Sequence, residues 1–202
     1  NVLSWYVPGE VSWIITDNNT NISNGSFTDS VTDLTASRAQ DSIIDYFGED
    51  VDVTYETIDS VTYTVYTLNT AKPITSNTGL SIEDNVIFDG GNNTITYTGS
   101  DGWKGLFSPA ESITMTIKNI LFDLQGTLKS AAGCILGSSY DNNNASKRYN
   151  NHNVTIENCH TYSSASTPST IGNSNSGGIV GKALGRSNST GTISFCSNKL
   201  EV

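Results

Sequence analysis

The chain has 202 residues, enough for one large domain with a real core, and carries a net charge of -10 with only 15% charged residues. That balance leaves no basic stripe to neutralise phosphates, which excludes nucleic acid as a partner, and it is poor for an anionic membrane surface. No apolar run approaches the roughly 18 residues of a transmembrane helix, so no membrane insertion is expected.

The chain begins at Asn1 with no signal-peptide pattern and so reads as a processed product or a segment of something longer. Residues 1–50 form an N-terminal segment. Its apolar pieces, Val2 to Val7 and Val11 to Ile15, are separated by Pro8-Gly9, which is turn chemistry for a short hairpin or an edge cover. A polar, Asn-rich loop follows over 16–33. Ala36, Ala39, Ile43 and Phe47 then fall at helical spacing and predict an amphipathic helix over 35–47. Ser37 and Gln40 form a capping box at its start, and Gly48 stands just past its end. A lone helix before a run of strands is expected to cover the first strands with Ile43 and Phe47 buried.

From Val51 to Val202 short β-branched and aromatic segments alternate with Gly, Asn and Asp turns. Three of them match one another: Met115 to Ile120, Val154 to Cys159 and Thr192 to Cys196. Val86 to Gly90 fits the same frame. The central isoleucines, Ile87, Ile117, Ile156 and Ile193, recur about every 30 to 40 residues. A second motif alternates with the first: Gly105 to Ser108, Cys134 to Gly137 and Gly178 to Gly181. Strands recurring in register predict an all-β fold, a right-handed single-stranded parallel β-helix with an N-terminal capping helix. The isoleucines point inward. Two positions later stand Asp89, Asn119, Asn158 and Phe195, where Asx residues suit a tight left-handed corner and Phe195 breaks the pattern. The stretches 138–152 and 161–176 read as loops inserted at corners. The last strand runs to the end of the chain with no cap visible, so the β-helix is expected to continue or to be truncated there.

Cys159 and Cys196 share a repeat position. Stacked strands would set their Cα atoms about 4.8 Å apart, within reach of a disulfide; the other reading is two small buried apolar side chains. Asn-x-Ser/Thr sequons begin at Asn18, Asn21, Asn24, Asn92, Asn144, Asn153 and Asn188, as candidate N-glycosylation sites or as a product of plain composition.

Asn85 to Ile95 is similar to the Asp-Gly-Gly-Asn-Asn turn of parallel β-helix surface proteins. Gly177 to Gly181 with Gly191 to Cys196 resembles the GLUG-type repeat of bacterial adhesins and large-virus surface proteins. That resemblance covers about residues 60–202. It implies an extracellular, cell-surface or virion-surface location, and a class that spans lyases, galacturonases, tailspikes, adhesins and structural virion proteins. The motifs that galacturonases of this class carry on successive strands do not occur in order. Asp89, Asp101 and Asp123 are the carboxylates nearest the strands. Glu83-Asp84 is the one tight acidic pair there, Lys182 and Arg186 the one close basic pair, and His152 and His160 flank one strand. Catalysis on a sugar needs several such groups to converge, and Ca²⁺ needs clustered carboxylates. No catalytic, cofactor-binding or metal-ligating residue is assigned. Trp103, Tyr140, Tyr149 and Tyr162 are candidate glycan contacts, or else cover for the core.

The function expected is a non-enzymatic structural module, a fibre, capsid-associated or adhesin part, whose partners are other structural subunits or surface glycans. The alternative is a polysaccharide lyase or glycoside hydrolase, and a third reading is an adhesin that binds a protein along a β-edge.

Overall fold

A computed structural model describes residues 2–7, 10–17, 20–21, 42–77, 79–109, 112–137, 152–167, 169, 171, 176–182 and 189–200. The chain forms two compact units, Asn1–Ser37 and Arg38–Val202. In the first, β1 (Val2–Val7) pairs antiparallel with β2 (Glu10–Asp17), running from Val2 opposite Ile15 to Val7 opposite Glu10. β2 also pairs with β3 (Thr20–Asn21).

The second unit opens with helix α1 (42–47) and a 3-10 turn, Gly48–Asp50. Ile43 and Phe47 are fully buried, as the helical spacing predicts; the earlier part of that helix, with its capping box, lies outside the described residues. Lys72 secures the helix end, donating from Nζ to Phe47 O at 2.6 Å and to Asp50 Oδ2 at 3.2 Å. A cation there satisfies a helix-terminal carbonyl and opposes the negative end of the helix dipole.

Next come β4 (Val51–Ile58) and β5 (Val61–Leu68), an antiparallel hairpin. Its two-residue turn, Asp59-Ser60, has φ of 48° and 66°. Left-handed values at both positions match the twist of a tight hairpin. Thereafter every strand pairing is parallel among the described residues. The strands are β6 (Lys72–Ile74), β7 (Leu80–Ile82), β8 (Val86–Asp89), β9 (Thr94–Tyr97) and β10 (Phe107–Pro109). They continue with β11 (Thr114–Lys118), β12 (Leu121–Leu124), β13 (Asn153–Glu157), β14 (His160–Tyr162), β15 (Thr190–Ser194) and β16 (Ser197–Asn198). One sheet runs β15-β13-β11-β8-β5-β4 and a second β16-β14-β12-β9-β6. A third row joins β7 to β10 and continues as single bridges from Phe107 to Leu136 to Val180.

The register explains the repeats. Ile117, Ile156 and Ile193 are direct neighbours, and Phe107, Leu136 and Val180 align the second motif. The Val86 to Gly90 frame needs a correction of one residue: Phe88, not Ile87, stands beside Ile117 and points into the core. The corner after β8 is longer than its counterparts. Gly91 and Asn92 are left-handed there, with φ of 59° each, whereas the later corners use Asn119, Asn158 and Phe195 alone. Asp89 therefore ends the strand beside Lys118 instead of forming the corner.

The core is one cluster. Phe47, Phe88 and Phe107 stack in series with centroids 5.1 and 4.9 Å apart; Tyr97, Trp103 and Phe122 do the same at 4.7 and 5.4 Å. The glycines of the second motif let backbones meet. A Cβ on Gly105, whose φ is 111°, would collide with the backbone of Gly137.

Candidate functional site

The corner between the first two sheets carries the polar groups that stack from repeat to repeat. Asn119 and Asn158 hold the same corner in successive repeats, and each adopts the left-handed conformation that Asn tolerates best among residues with a side chain. Their amides are thereby brought into a column. Asn158 Nδ2 donates to Asn119 Oδ1 at 2.8 Å, and Asn119 Nδ2 donates to Asp89 Oδ1 at 2.9 Å. Each amide has one donor end and one acceptor end, so the carboxylate fixes the direction of the whole column. His160 opens β14 just beyond this corner. Its Nε2 lies 3.1 Å from Asn158 Oδ1, and its Nδ1 lies 2.8 Å from Ser197 Oγ. Because Asn158 Oδ1 can only accept, Nε2 carries the proton; in the neutral ring Nδ1 then accepts from Ser197 Oγ–H. The outcome is a one-directional relay, Ser197 to His160 to Asn158 to Asn119 to Asp89.

Asp89 terminates the relay. It also accepts from Gly91 N–H at 2.9 Å and faces Lys118 Nζ at 3.4 Å. Partial burial pushes its pKa up, but the hydrogen bonds from Asn119 and Gly91 and the charge of Lys118 outweigh that and hold the carboxyl below its ordinary value.

Beside the relay, on the outer surface of the second sheet, Leu121, His160, Thr161, Tyr162, Ser197 and Lys199 line an open depression of about 380 Å³. Tyr162 is half-buried and Lys199 exposed. An aromatic ring among hydroxyls with one ammonium beside it is suited to a sugar ring bearing an acidic group.

The other predicted residues separate. Trp103 is no glycan contact: it is fully buried between Tyr97 and Phe122, and its Nε1–H donates to Cys134 O at 2.9 Å. Tyr140 and Tyr149 lie outside the described residues. Asp123 is buried, accepting from Ser164 N–H, Ser164 Oγ–H and Gln125 Nε2 at 2.8, 2.6 and 2.8 Å; it fastens the segment after β14 to β12. The backbone of Asp101 accepts from Tyr97 Oη. His152 is buried just before β13, and its backbone N–H donates to Ser189 Oγ at 3.3 Å. Lys182 is half-buried; Arg186 lies outside the described residues.

Cys159 and Cys196 do stack, but as thiols. Cys159 Sγ donates to Glu157 O at 3.4 Å and Cys196 Sγ to Ser194 O at 3.1 Å. Burial pushes the Cys159 thiol up to about 12, so it stays protonated, and Cys134 is raised for the same reason. Among the sequons, Asn92 is exposed on its corner and Asn153 is exposed on β13, accepting from Thr190 Oγ1 at 2.5 Å. Asn21 lies in β3, and Asn18, Asn24, Asn144 and Asn188 lie outside the described residues.

Neither the relay nor the Asp123 clamp is encoded in a local motif. Asn119 and Asn158 were visible as repeat residues, but the contribution of His160 and Ser197 depends on β14 and β16 being neighbours. Ser164 meets Asp123 only because the chain closes one full repeat between them. Among the described residues no three His, Cys, Asp or Glu side chains converge as a metal site would need, and no helix is long and apolar enough to cross a membrane. Comparison of the chain with protein-family models, with curated proteins and with solved structures gives no match.

Proposed function

We propose that Arg38–Val202 is a right-handed, single-stranded parallel β-helix. We further propose that it serves as a non-enzymatic structural module of an extracellular, cell-surface or virion-surface protein of the GLUG-repeat type. The solenoid reading is supported by three rows of strands that advance together in chain order around one core, and its hand by the strong preference of parallel crossovers for the right-handed sense.

One observation carries the structural reading of the function. The polar groups nearest the strands are engaged by other protein groups, each with at least one bond to a neighbouring repeat: Asp89 to Asn119 and Lys118, Asp123 to Ser164, His160 to Ser197, with Gly91, Gln125 and Asn158 adding bonds within the same repeat. A general acid or base must reach its substrate's proton, and groups held this way brace the fold instead. Surface glycans or other structural subunits are the partners, with the depression around Tyr162 and Lys199 as the glycan contact. The test is a screen of neutral and acidic polysaccharides, with and without Ca²⁺, read for reducing ends, unsaturated products and binding. Binding without turnover, weakened by Tyr162→Ala, is the expected result. Product formation lost on Asp89→Asn or Asp123→Asn would overturn the reading in favour of a lyase or hydrolase.

A further inference from the structure

The depression on the outer face of the second sheet is built by three strands side by side. Leu121 of β12, His160 of β14 and Ser197 of β16 stand in register along one row, and Tyr162 and Lys199 follow two residues on. His160 therefore belongs both to the lining of the depression and to the relay beneath it.

The two ring nitrogens of His160 are not equivalent. Nε2–H is held by Asn158 Oδ1 at 3.1 Å, and the column down to Asp89 fixes the orientation of that amide. Nδ1 accepts from Ser197 Oγ–H at 2.8 Å. In this state the Ser197 proton points at the ring, so its hydroxyl offers the depression only lone pairs. Lys199 alone brings positive charge to the lining. Uptake of a proton by His160 reverses one bond and leaves the other as it is. An imidazolium donates from both nitrogens, so Nε2 keeps Asn158 while Nδ1–H now donates to Ser197 Oγ. The Ser197 proton must then swing away from the ring, and the open space beside Ser197 is the depression.

We propose that the depression binds the anionic group of an acidic sugar and that protonation of His160 switches it on. Lys199 Nζ and the released Ser197 hydroxyl hold the anion beside the imidazolium, with the pyranose ring against Tyr162. Carboxylate and sulfate groups share this chemistry. The inference rests on the depression being the glycan contact proposed above and adds the class of sugar and its control by pH. Two cations facing one space repel each other, and an anion between them removes the repulsion, so binding and protonation favour one another. The strands packed against β14 bring few other titratable groups. β12 carries Asp123, whose carboxylate is taken by Ser164 and Gln125; Tyr162 lies on β14 itself; Asp89 connects to His160 only through two amides.

Titration calorimetry of the full chain with sialyllactose, sulfated lactose and lactose tests this, in enough salt to screen the net charge of -10. Sialyllactose should bind about tenfold more tightly at about pH 5 than at about pH 8, the range over which histidines change charge, whereas lactose should bind weakly and equally at both. Sulfated lactose should show the same gain. A gain for one acidic sugar alone supports the switch and names the anion. Titrations in two buffers of different ionisation heat should show part of a proton taken up with each sugar bound in mid-range, and none at the alkaline end. Lys199→Met should erase the preference for acidic sugars and spare lactose, Ser197→Ala should reduce the gain, and His160→Gln should abolish it. Proton uptake by the unaltered chain decides the matter even where His160→Gln fails to fold. Acidic sugars bound equally at both pH values, or bound without proton uptake, would overturn the inference; lactose binding weakened by Tyr162→Ala would still uphold the glycan contact. If no sugar binds at either pH, the glycan contact falls and this inference with it.

Discussion

The two edges of the six-stranded sheet are built on opposite plans. At the β4 edge the chain turns back on itself: the hairpin sets an antiparallel strand outermost and places Asp52 and Glu56 on it. Behind that edge α1 drives Ile43 and Phe47 into the core, held by Lys72. β15, the outermost described strand on the other side, is parallel and uncharged, and Ile193 of the core column is half exposed there. The second sheet differs in the same sense. Its inward column runs Ile95, Phe122, Thr161, Asn198, apolar at first and then polar, with Thr161 Oγ1 donating to Asn198 Oδ1 at 2.8 Å. One end is sealed by apolar packing. Among the described residues the last strands are joined by side-chain hydrogen bonds on one sheet, while on the other Ile193 is half exposed.

The sharpest way to break this comparison is to cut the same kind of contact at both ends. Phe47→Ala should cost about 3–5 kcal/mol, as for a fully buried aromatic touching other rings. Ile193→Ala should cost well under about 1.5 kcal/mol, since about half of its side chain is already in water. Urea unfolding of both variants checks this, and equal losses would show that the far end is as closed as the near one.

The column of corner asparagines ties the ends together, so its loss should rank next. Asn158→Ala removes three amide contacts, to Asn119, Asn92 and His160, and a residue suited to φ of 49°. A loss of about 2 kcal/mol is expected, combining broken hydrogen bonds with left-handed strain on alanine. Asn158→Gly keeps the backbone easy and should recover part of it, which separates the two causes.

This column also shows how far a sequence of this kind can be read. Ile117 to Asn119 and Ile156 to Asn158 are alike in type and spacing, so their stacking was legible. Val86 to Asp89 was misaligned by one residue because a corner with two left-handed residues leaves the same apolar pattern as a corner with one. For Trp103 the sequence leaves glycan contact and core cover open, because an aromatic among Gly, Asp and Ser looks like a loop residue; the structure takes the second, drawing it in beside Leu128 and Cys134, roughly a repeat away. The site was less legible than the fold. A depression formed by β12, β14 and β16 draws on three repeats at once, and no local spacing encodes it.

The helix cap offers two smaller tests at the near end. Lys72→Met keeps the buried stem but leaves the Phe47 carbonyl without its ammonium, and should cost about 1 kcal/mol in thermal or urea unfolding. Tyr46 tests the same packing through pH. Its hydroxyl is buried without a hydrogen-bond partner, and burial, with a lesser contribution from Tyr97, pushes its pKa from 10.0 up to about 12. The folded value lies above the unfolded one, so the stabilisation is complete below pH 10 and is lost as pH rises toward about 12. Tyr46→Phe should flatten that alkaline decline and be neutral or slightly stabilising at pH 7. An unchanged decline would place its origin elsewhere.

The smallest effect expected is a gain, and it falls at the far end. Phe195 occupies the corner that asparagine holds in the two preceding repeats, with φ of 54° and 79% exposure. A bulky side chain in that conformation costs roughly 1–2 kcal/mol, and so exposed a ring recovers little of it by burial. Phe195→Asn should therefore raise the stability of the monomer by about 0.5–1 kcal/mol, part of the left-handed cost that asparagine tolerates better. The measurement is urea unfolding of the two chains side by side. If Phe195→Asn instead destabilises the isolated chain, the ring is packing within its own repeat, and the far end is better sealed than its exposure implies.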